Sequence, residues 1–254
     1  MGSDPTGTPS RAAAPRTSFV TGANRGLGLE IVRLLAARGP VVAACRRPAD
    51  AVALDDLGAR YPGRLTKVAV DLADASSVAA AVAECDAVLD RLDILVNCAG
   101  RNRVSPDEAH DDGTTALGTL DAAALAELFH VNAVSPLLLV QGLMGKLVRA
   151  RAPIVVNVTS ERGSAQSDPG DRKFGYRASK AALNSFTRTL ARRVARDGIT
   201  VVAVDPGWVR TDMGGPEAPQ DAADCARRIV RLLDQLDASH GGMLLDPDGR
   251  ALEW

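Results

Sequence analysis

The sequence predicts a single α/β domain: a doubly wound parallel sheet of seven strands with helices on both faces. Two patterns carry that expectation. From Thr17 onward, short β-branched runs alternate with longer helical segments, the signature of βαβ units. No period of about 20 to 50 residues repeats and no linker-like change of composition interrupts the body of the chain, so neither a solenoid nor a string of small domains fits.

The elements follow in order. Residues 1–16 are rich in Pro, Thr, Ser, Gly and Ala and lack an apolar run, so they read as a disordered arm rather than a signal peptide, on a cytoplasmic protein whose folded domain is 17–254. A strand at 17–21 runs into a glycine-rich turn and a helix at 26–38, whose Leu29, Val32, Leu35 and Ala36 share a face. Strands follow at 41–45, 65–71, 94–97, 154–159, 200–204 and 243–245. Helices are expected at 49–60, 75–91, 122–149, 175–196 and 221–236. Asp74 and Asp121 suit helix starts, Pro48 a first helical position, and Gly39 and Gly198 helix ends. Two long loops, 101–120 and 161–174, follow strands and would form the walls of a ligand crevice unless they are plain surface insertions.

Composition excludes several roles. Thirty Lys plus Arg against thirty-one Asp plus Glu leave no basic excess for nucleic acid or anionic lipid. The richest apolar stretch, 137–148, is broken by Gln141, Gly145 and Lys146, short of the ~18 uninterrupted residues of a membrane span. Cys45, Cys85, Cys98 and Cys225 form no CxxC pair and His110, His130 and His240 are scattered, so buried thiols and no metal are expected.

The first turn reads Thr21-Gly22-Ala23-Asn24-Arg25-Gly26-Leu27-Gly28 between a strand and an amphipathic helix. Glycines there let the backbone turn tightly and bring a pyrophosphate against helix N–H groups, where the dipole favours negative charge. The second strand then ends in Cys45-Arg46-Arg47 rather than in an acid that would bind a ribose 2′-hydroxyl. Arg46 and Arg25 would clamp a 2′-phosphate, which points to NADP(H). Asp50 is the competing acid, set behind Pro48, and solvated arginines are the competing account of Arg25 and Arg46.

Only two Tyr and four Lys occur in the chain, yet Tyr176 and Lys180 stand four residues apart, one turn of a helix. Chance yields about 0.03 such pairs at this composition. An ammonium beside a phenol favours the phenolate and is expected to lower its pKa, making Tyr176 an acid–base group. Ser160, at the end of the strand Asn157-Val158-Thr159, could hydrogen-bond a carbonyl oxygen as charge develops on it.

These motifs resemble the short-chain dehydrogenase/reductase family, whose fold is the Rossmann type. The likeness covers residues 17–254: the glycine turn, Asp71-Leu72, Asn97-Cys98-Ala99-Gly100, Asn132, Ser160, Tyr176-x3-Lys180 and Asp205-Pro206-Gly207-Trp208-Val209-x-Thr211 occur in the family's order. The finer likeness, through Tyr176-Arg177-Ala178-Ser179-Lys180 and Pro206-Gly207-Trp208-Val209-Arg210-Thr211-Asp212-Met213, is to its C-factor-like and sniffer-like carbonyl reductases.

The resemblance implies an oxidoreductase that reduces a ketone or aldehyde with NADPH, or oxidises the alcohol. Tyr176 would protonate the carbonyl oxygen, Lys180 hold the nicotinamide ribose, Ser160 orient the carbonyl, and Asn132 support a water path. Gly22, Asn24, Gly26, Leu27 and Gly28 would cradle the diphosphate, and Arg25 and Arg46 the 2′-phosphate. Asp71 and Leu72 would contact adenine, Asn97, Ala99, Gly100, Pro206 and Gly207 line the cofactor, and Val209 and Thr211 meet the carboxamide. A small-molecule substrate and a homodimer or homotetramer, formed through helices 122–149 and 175–196, are implied as well.

Three departures stand out. Cys98 occupies a position where the family usually has Asn, and the loop 161–174 carries a short insertion that makes Ser164 a competitor of Ser160. That loop is polar, with Asp168, Asp171, Arg172 and Lys173, whereas the region of Trp208 and Met213 is apolar. Two other functions remain open on the sequence: a non-redox isomerase, dehydratase or cyclase, and an NADP-binding signalling protein.

Overall fold

The computed structural model describes residues 15–104, 112–167, 170 and 172–254. Residues 1–14, parts of both long loops (105–111, and 168, 169 and 171, among them His110, Asp168 and Asp171) lie outside the described residues. Strands β1 (Ser18–Thr21), β2 (Val41–Cys45), β3 (Leu65–Ala69), β4 (Ile94–Asn97), β5 (Ile154–Val158) and β6 (Thr200–Val204) pair in parallel in the spatial order β6-β5-β4-β1-β2-β3. The chain winds outward from β1 to β3 and then resumes at β4 on the other side of β1, with Ser18 paired to both Val41 and Ile94. The order therefore reverses between β1 and β4, and a crevice opens there at the carboxyl edge.

Side chains of successive strand residues point to opposite faces, which is why these strands need continuous apolar runs. Val20, Val96, Val156 and Val202 pack under helices α1 (Gly26–Ala36), α2 (Val52–Arg60) and α7 (Ala222–Leu233), against Ile31, Leu54 and Ile229. Their neighbours Phe19, Leu95, Val155 and Val201 pack on the opposite face under α3 (Ala75–Val88), α5 (Ser135–Leu147) and α6 (Phe174–Val194). Asp74 and Asp121 cap their helices, accepting from the backbone N–H of Ser76 and Ala124.

The sheet has eight strands rather than seven. After β7 (Val209–Arg210) and β8 (Gln220–Asp221), a separate two-stranded ribbon, the chain adds β9 (Leu244–Leu245) beside β6 and folds back as β10 (Ala251–Leu252), antiparallel at the edge. Asp246 drives that reversal: its carboxylate accepts from the N–H groups of Asp248 and Arg250, and Gly249 takes a φ of 85°.

Two expected helices are also not uniform. The segment 49–60 begins as a 3-10 turn, Pro48–Asp50, before α2. Segment 122–149 divides into α4 (Ala122–Phe129), a π turn at His130–Val134, and α5. Pro136 explains the break: it has no N–H to offer the carbonyl of Asn132 and its ring crowds that oxygen. By its length, and by a mean hydropathy of 1.6 over its most apolar 18 residues, Ala122–Leu147 passes as a membrane span. Leu128, Val131, Leu139, Val140, Leu143 and Leu147 are nonetheless buried inside the fold. Arg16, expected in the arm, is instead tied to the body by donating to the carbonyls of Leu233 and Asp93.

Candidate active site

The glycine turn closes the crevice on the β1 side. Gly22 has a φ of 67°, and a Cβ on it would lie 3.0 Å from Cα of Ala99, so the turn abuts the end of β4. Gly28 is needed for space: its Cβ would sit 2.3 Å from the carbonyl oxygen of Gly22. Thr21 Oγ1 accepts from the N–H groups of Cys98 and Ala99, 3.0 Å each, and so fixes β4's exit to β1. Helix α1 begins here with no side-chain cap and no acid in its first turn, whereas α3, α4 and α7 each start on an aspartate that caps them. The N–H groups of the first turn, which a helix leaves without internal partners, and the dipole make this helix end suited to a phosphate group.

At the ends of β2 and β3 stand the remaining nucleotide-side residues. Arg46 is exposed and has no ion-pair partner among the described residues, while Arg47 pairs with Asp50 at 3.4 Å. Asp71 Oδ1 accepts from the N–H of Ala73, and its own N–H donates to Ser77 Oγ. Leu72 is buried, and its carbonyl accepts from Ser135 Oγ at 2.7 Å.

On the other side, β5 and α6 bring Ser160, Tyr176 and Lys180 together. The Ser160 side chain acts on the half-buried Tyr176 phenol, drawing its pKa down, and accepts from the N–H of Arg162 at 3.2 Å. Ser164 Oγ accepts from the N–H of Gln166 within its own turn, so Ser160 is the serine that meets Tyr176. Lys180 is buried, and its Nζ donates to the carbonyl of Val158 at 2.8 Å. Asn132 Oδ1 accepts from the N–H of Arg101 at 2.8 Å, and its Nδ2 donates to the carbonyl of Arg101 and to Ser179 Oγ. Gly100 joins the two: a Cβ there would lie 3.3 Å from Asn132 Oδ1 and 3.4 Å from Lys180 Nζ. Asn97 is buried, donating to Asn157 Oδ1 at 2.8 Å.

The electrostatics differ from the expectation of a lowered phenol. Burial pushes the Tyr176 pKa up; the Ser160 side chain and Arg162 oppose this, while Asp205 adds to it. Burial also lowers Lys180 to about 8, against the opposing charge of Asp205. Spacing along a helix reveals the neighbour but not the desolvation. Burial likewise pushes Cys98 up to about 12, so it is an inert thiol beside Lys180.

The loop after β6 forms the roof. Asp205 is buried and accepts from the N–H of Gly207, which has a φ of 72°. Pro206 is half-buried, Val209 is buried, and a Cβ on Gly26 would meet Thr211 Cγ2 at 3.2 Å, so this loop rests on the glycine turn. Trp208 and Met213 are exposed. A cavity beside the site is lined by Glu161, Ser164, Asp205, Gly207, Asp246 and Glu253. Sequence reasoning assigned no role to Asp205, and it passed over Gly163, whose Cβ would lie 2.8 Å from Lys180 Cβ. Gly163 could have been found only as the small residue three positions after Ser160.

Ser160, Tyr176, Lys180, Asn132, Gly100, Ala99, the glycine turn and Thr211 thus surround one crevice; Asp71, Leu72 and Arg46 stand at the ends of the neighbouring strands. A half-buried phenol and an uncapped helix N-terminus at the same edge of the sheet form an arrangement that can bind a dinucleotide and exchange a proton with a substrate oxygen. A family model described as short chain dehydrogenase matches residues 16–222. The chain is 34% identical over 163 residues to C-signal from Myxococcus xanthus, covering 64% of this chain and 93% of that one. It resembles the NADPH-bound carbonyl reductase from chicken fatty liver with a TM-score of 0.85 at 30% identity, covering 94% and 99% of the two chains. Carbonyl reductase Sniffer of D. melanogaster matches with a TM-score of 0.84 at 28% identity, covering 95% and 100%.

Proposed function

The chain belongs to the short-chain dehydrogenase family, and from that premise we propose that it is an NADP(H)-dependent oxidoreductase that reduces a ketone or aldehyde, or runs the reverse alcohol oxidation. One observation carries the reading: the phenol of Tyr176 within the influence of Ser160, with buried Lys180 one helical turn on. When bound, the nicotinamide supplies hydride to the carbonyl carbon. The chain's own residues handle the oxygen. Ser160 donates a hydrogen bond to it, and Tyr176, held protonated by burial, donates the proton. Lys180 holds the ribose, and Asn132, held by Arg101 and Ser179, supports the water path that restores the Tyr176 proton.

The glycine turn from Gly22 through Gly28 takes the diphosphate, and Arg25 and Arg46 take the 2′-phosphate. Asp71 and Leu72 contact adenine, Asn97, Ala99, Gly100, Pro206 and Gly207 line the cofactor, and Val209 and Thr211 receive the carboxamide. NADPH in the chicken carbonyl reductase, and the uncapped start of α1, support this assignment. We read the protein as a cytoplasmic homodimer or homotetramer associating through α4, α5 and α6, which light scattering tests.

Loss of NADPH absorbance with a panel of ketones and aldehydes tests the function. Consumption of NADPH over NADH is expected. No consumption with any carbonyl, together with tight NADPH binding, would favour the non-redox or signalling alternatives.

A further inference from the structure

Arg25 leaves the glycine turn with extended backbone, φ −162° and ψ 170°, and its Nη1 meets Oδ2 of Asp212 at 2.7 Å across 187 residues of sequence. Both side chains are largely in solvent, 65% and 73% exposed. Asp212 is carried by a loop held as a unit: Trp208 Nε1 donates to the carbonyl of Gly214 at 2.7 Å, and Gly214 N–H donates to Thr211 Oγ1 at 3.2 Å. Gly26 rests on Thr211 beside the ion pair, so the loop crosses the uncapped start of α1. Three arginines follow the ends of the paired strands β1 and β2. Asp212 holds Arg25, Asp50 holds Arg47, and Arg46 has no ion-pair partner among the described residues.

We propose that Asp212 sets the affinity for NADP(H) by competing with the cofactor's 2′-phosphate for Arg25. This rests on the NADP(H) reading above. A phosphate carries more charge and more acceptor oxygens than a carboxylate, so it displaces Asp212 from the guanidinium. The displaced pair is exposed, which limits the penalty to a factor of about two to five in the dissociation constant. NADH has a hydroxyl in place of that phosphate and leaves the Arg25–Asp212 pair intact. Asp212 therefore lowers NADPH affinity without touching NADH affinity, and its position ties the seating of the adenosine end to release of the loop over the nicotinamide end.

The test is a double-mutant cycle on the full chain, with Kd for NADPH and for NADH read by fluorescence titration. Asp212→Asn should tighten NADPH about two- to fivefold and leave NADH unchanged, with Asp212→Ser as a second neutral variant. Arg25→Ala should weaken NADPH about tenfold, and adding Asp212→Asn to it should then change nothing. An unchanged NADPH Kd in both Asp212 variants overturns the competition. So does an equal gain in the Arg25→Ala background, which would mark a general field effect instead. If Arg25→Ala and Arg46→Ala both leave the NADPH/NADH ratio unchanged, it is the NADP(H) reading itself that fails.

Discussion

Lys180 Nζ donates to the backbone carbonyl of Val158 at 2.8 Å, in a pocket that buries the side chain to 5% exposure. The ammonium is thus held by the last residue of β5, next to Ser160, and burial lowers its pKa from the ordinary lysine value of 10.5 to about 8. In the unfolded chain the same group keeps its ordinary value, so between about pH 8 and 10.5 the unfolded state binds more protons. The buried charge therefore costs stability below about pH 8, and the cost is relieved as pH rises toward 10.5. Melting temperatures of the wild type and Lys180→Met across that window should converge or cross, with the wild type gaining on the variant as pH rises. A constant difference contradicts the assignment.

Ser160 and Ser164 are separated by a direct comparison. Ser160 meets the Tyr176 phenol, and Ser164 caps its own turn. Ser160→Ala should lower kcat/KM by about a hundredfold or more, the effect of removing one donor to a developing oxyanion. Ser164→Ala should stay within a few-fold of wild type, and the reverse ranking would shift the site one turn along the loop.

Arg46→Asp should move cofactor preference toward NADH. Loss of one charge-assisted hydrogen bond to a phosphate is worth about 1.5–3 kcal/mol, or roughly ten- to more than a hundredfold in the ratio of kcat/KM for NADPH over NADH. A ratio that does not move leaves Arg46 a solvated arginine.

Gly163 is predicted to be a packing requirement of the site. Its Cβ would lie 2.7 Å from the carbonyl carbon of Lys180 and 2.9 Å from the N–H nitrogen of Ala181, both backbone atoms that cannot swing aside. Gly163→Ala should cost about 1–3 kcal/mol in chemical denaturation and lower kcat with it, by pushing the turn after β5 away from α6. Wild-type stability in this variant would mean that the turn relaxes freely.

How much of this was legible in the sequence depends on the physics each feature expresses. Strands such as Val41–Cys45 and Thr200–Val204 are buried on both faces, so continuous β-branched runs announce them. The Tyr176–Lys180 spacing survives because a helix makes it a geometric fact. The edge strand Ala251–Leu252 is two residues long, and its register comes from Asp246 folding back on Asp248 and Arg250, a turn signal with no apolar run behind it. The π turn at His130–Val134 has the same residue pattern as an α-helix and appears only once Pro136 is packed. The Arg25–Asp212 pair and the raised phenol of Tyr176 are products of tertiary placement, across 187 residues in the first case and of burial in the second.

The most direct measurement is steady-state NADPH oxidation with a reducible ketone by the wild type and Tyr176→Phe, with NADPH binding measured on the same samples. The account predicts that the variant binds NADPH as the wild type does but loses at least about a hundredfold in kcat, since only the phenolic proton donor is removed. Undiminished turnover by Tyr176→Phe would contradict it.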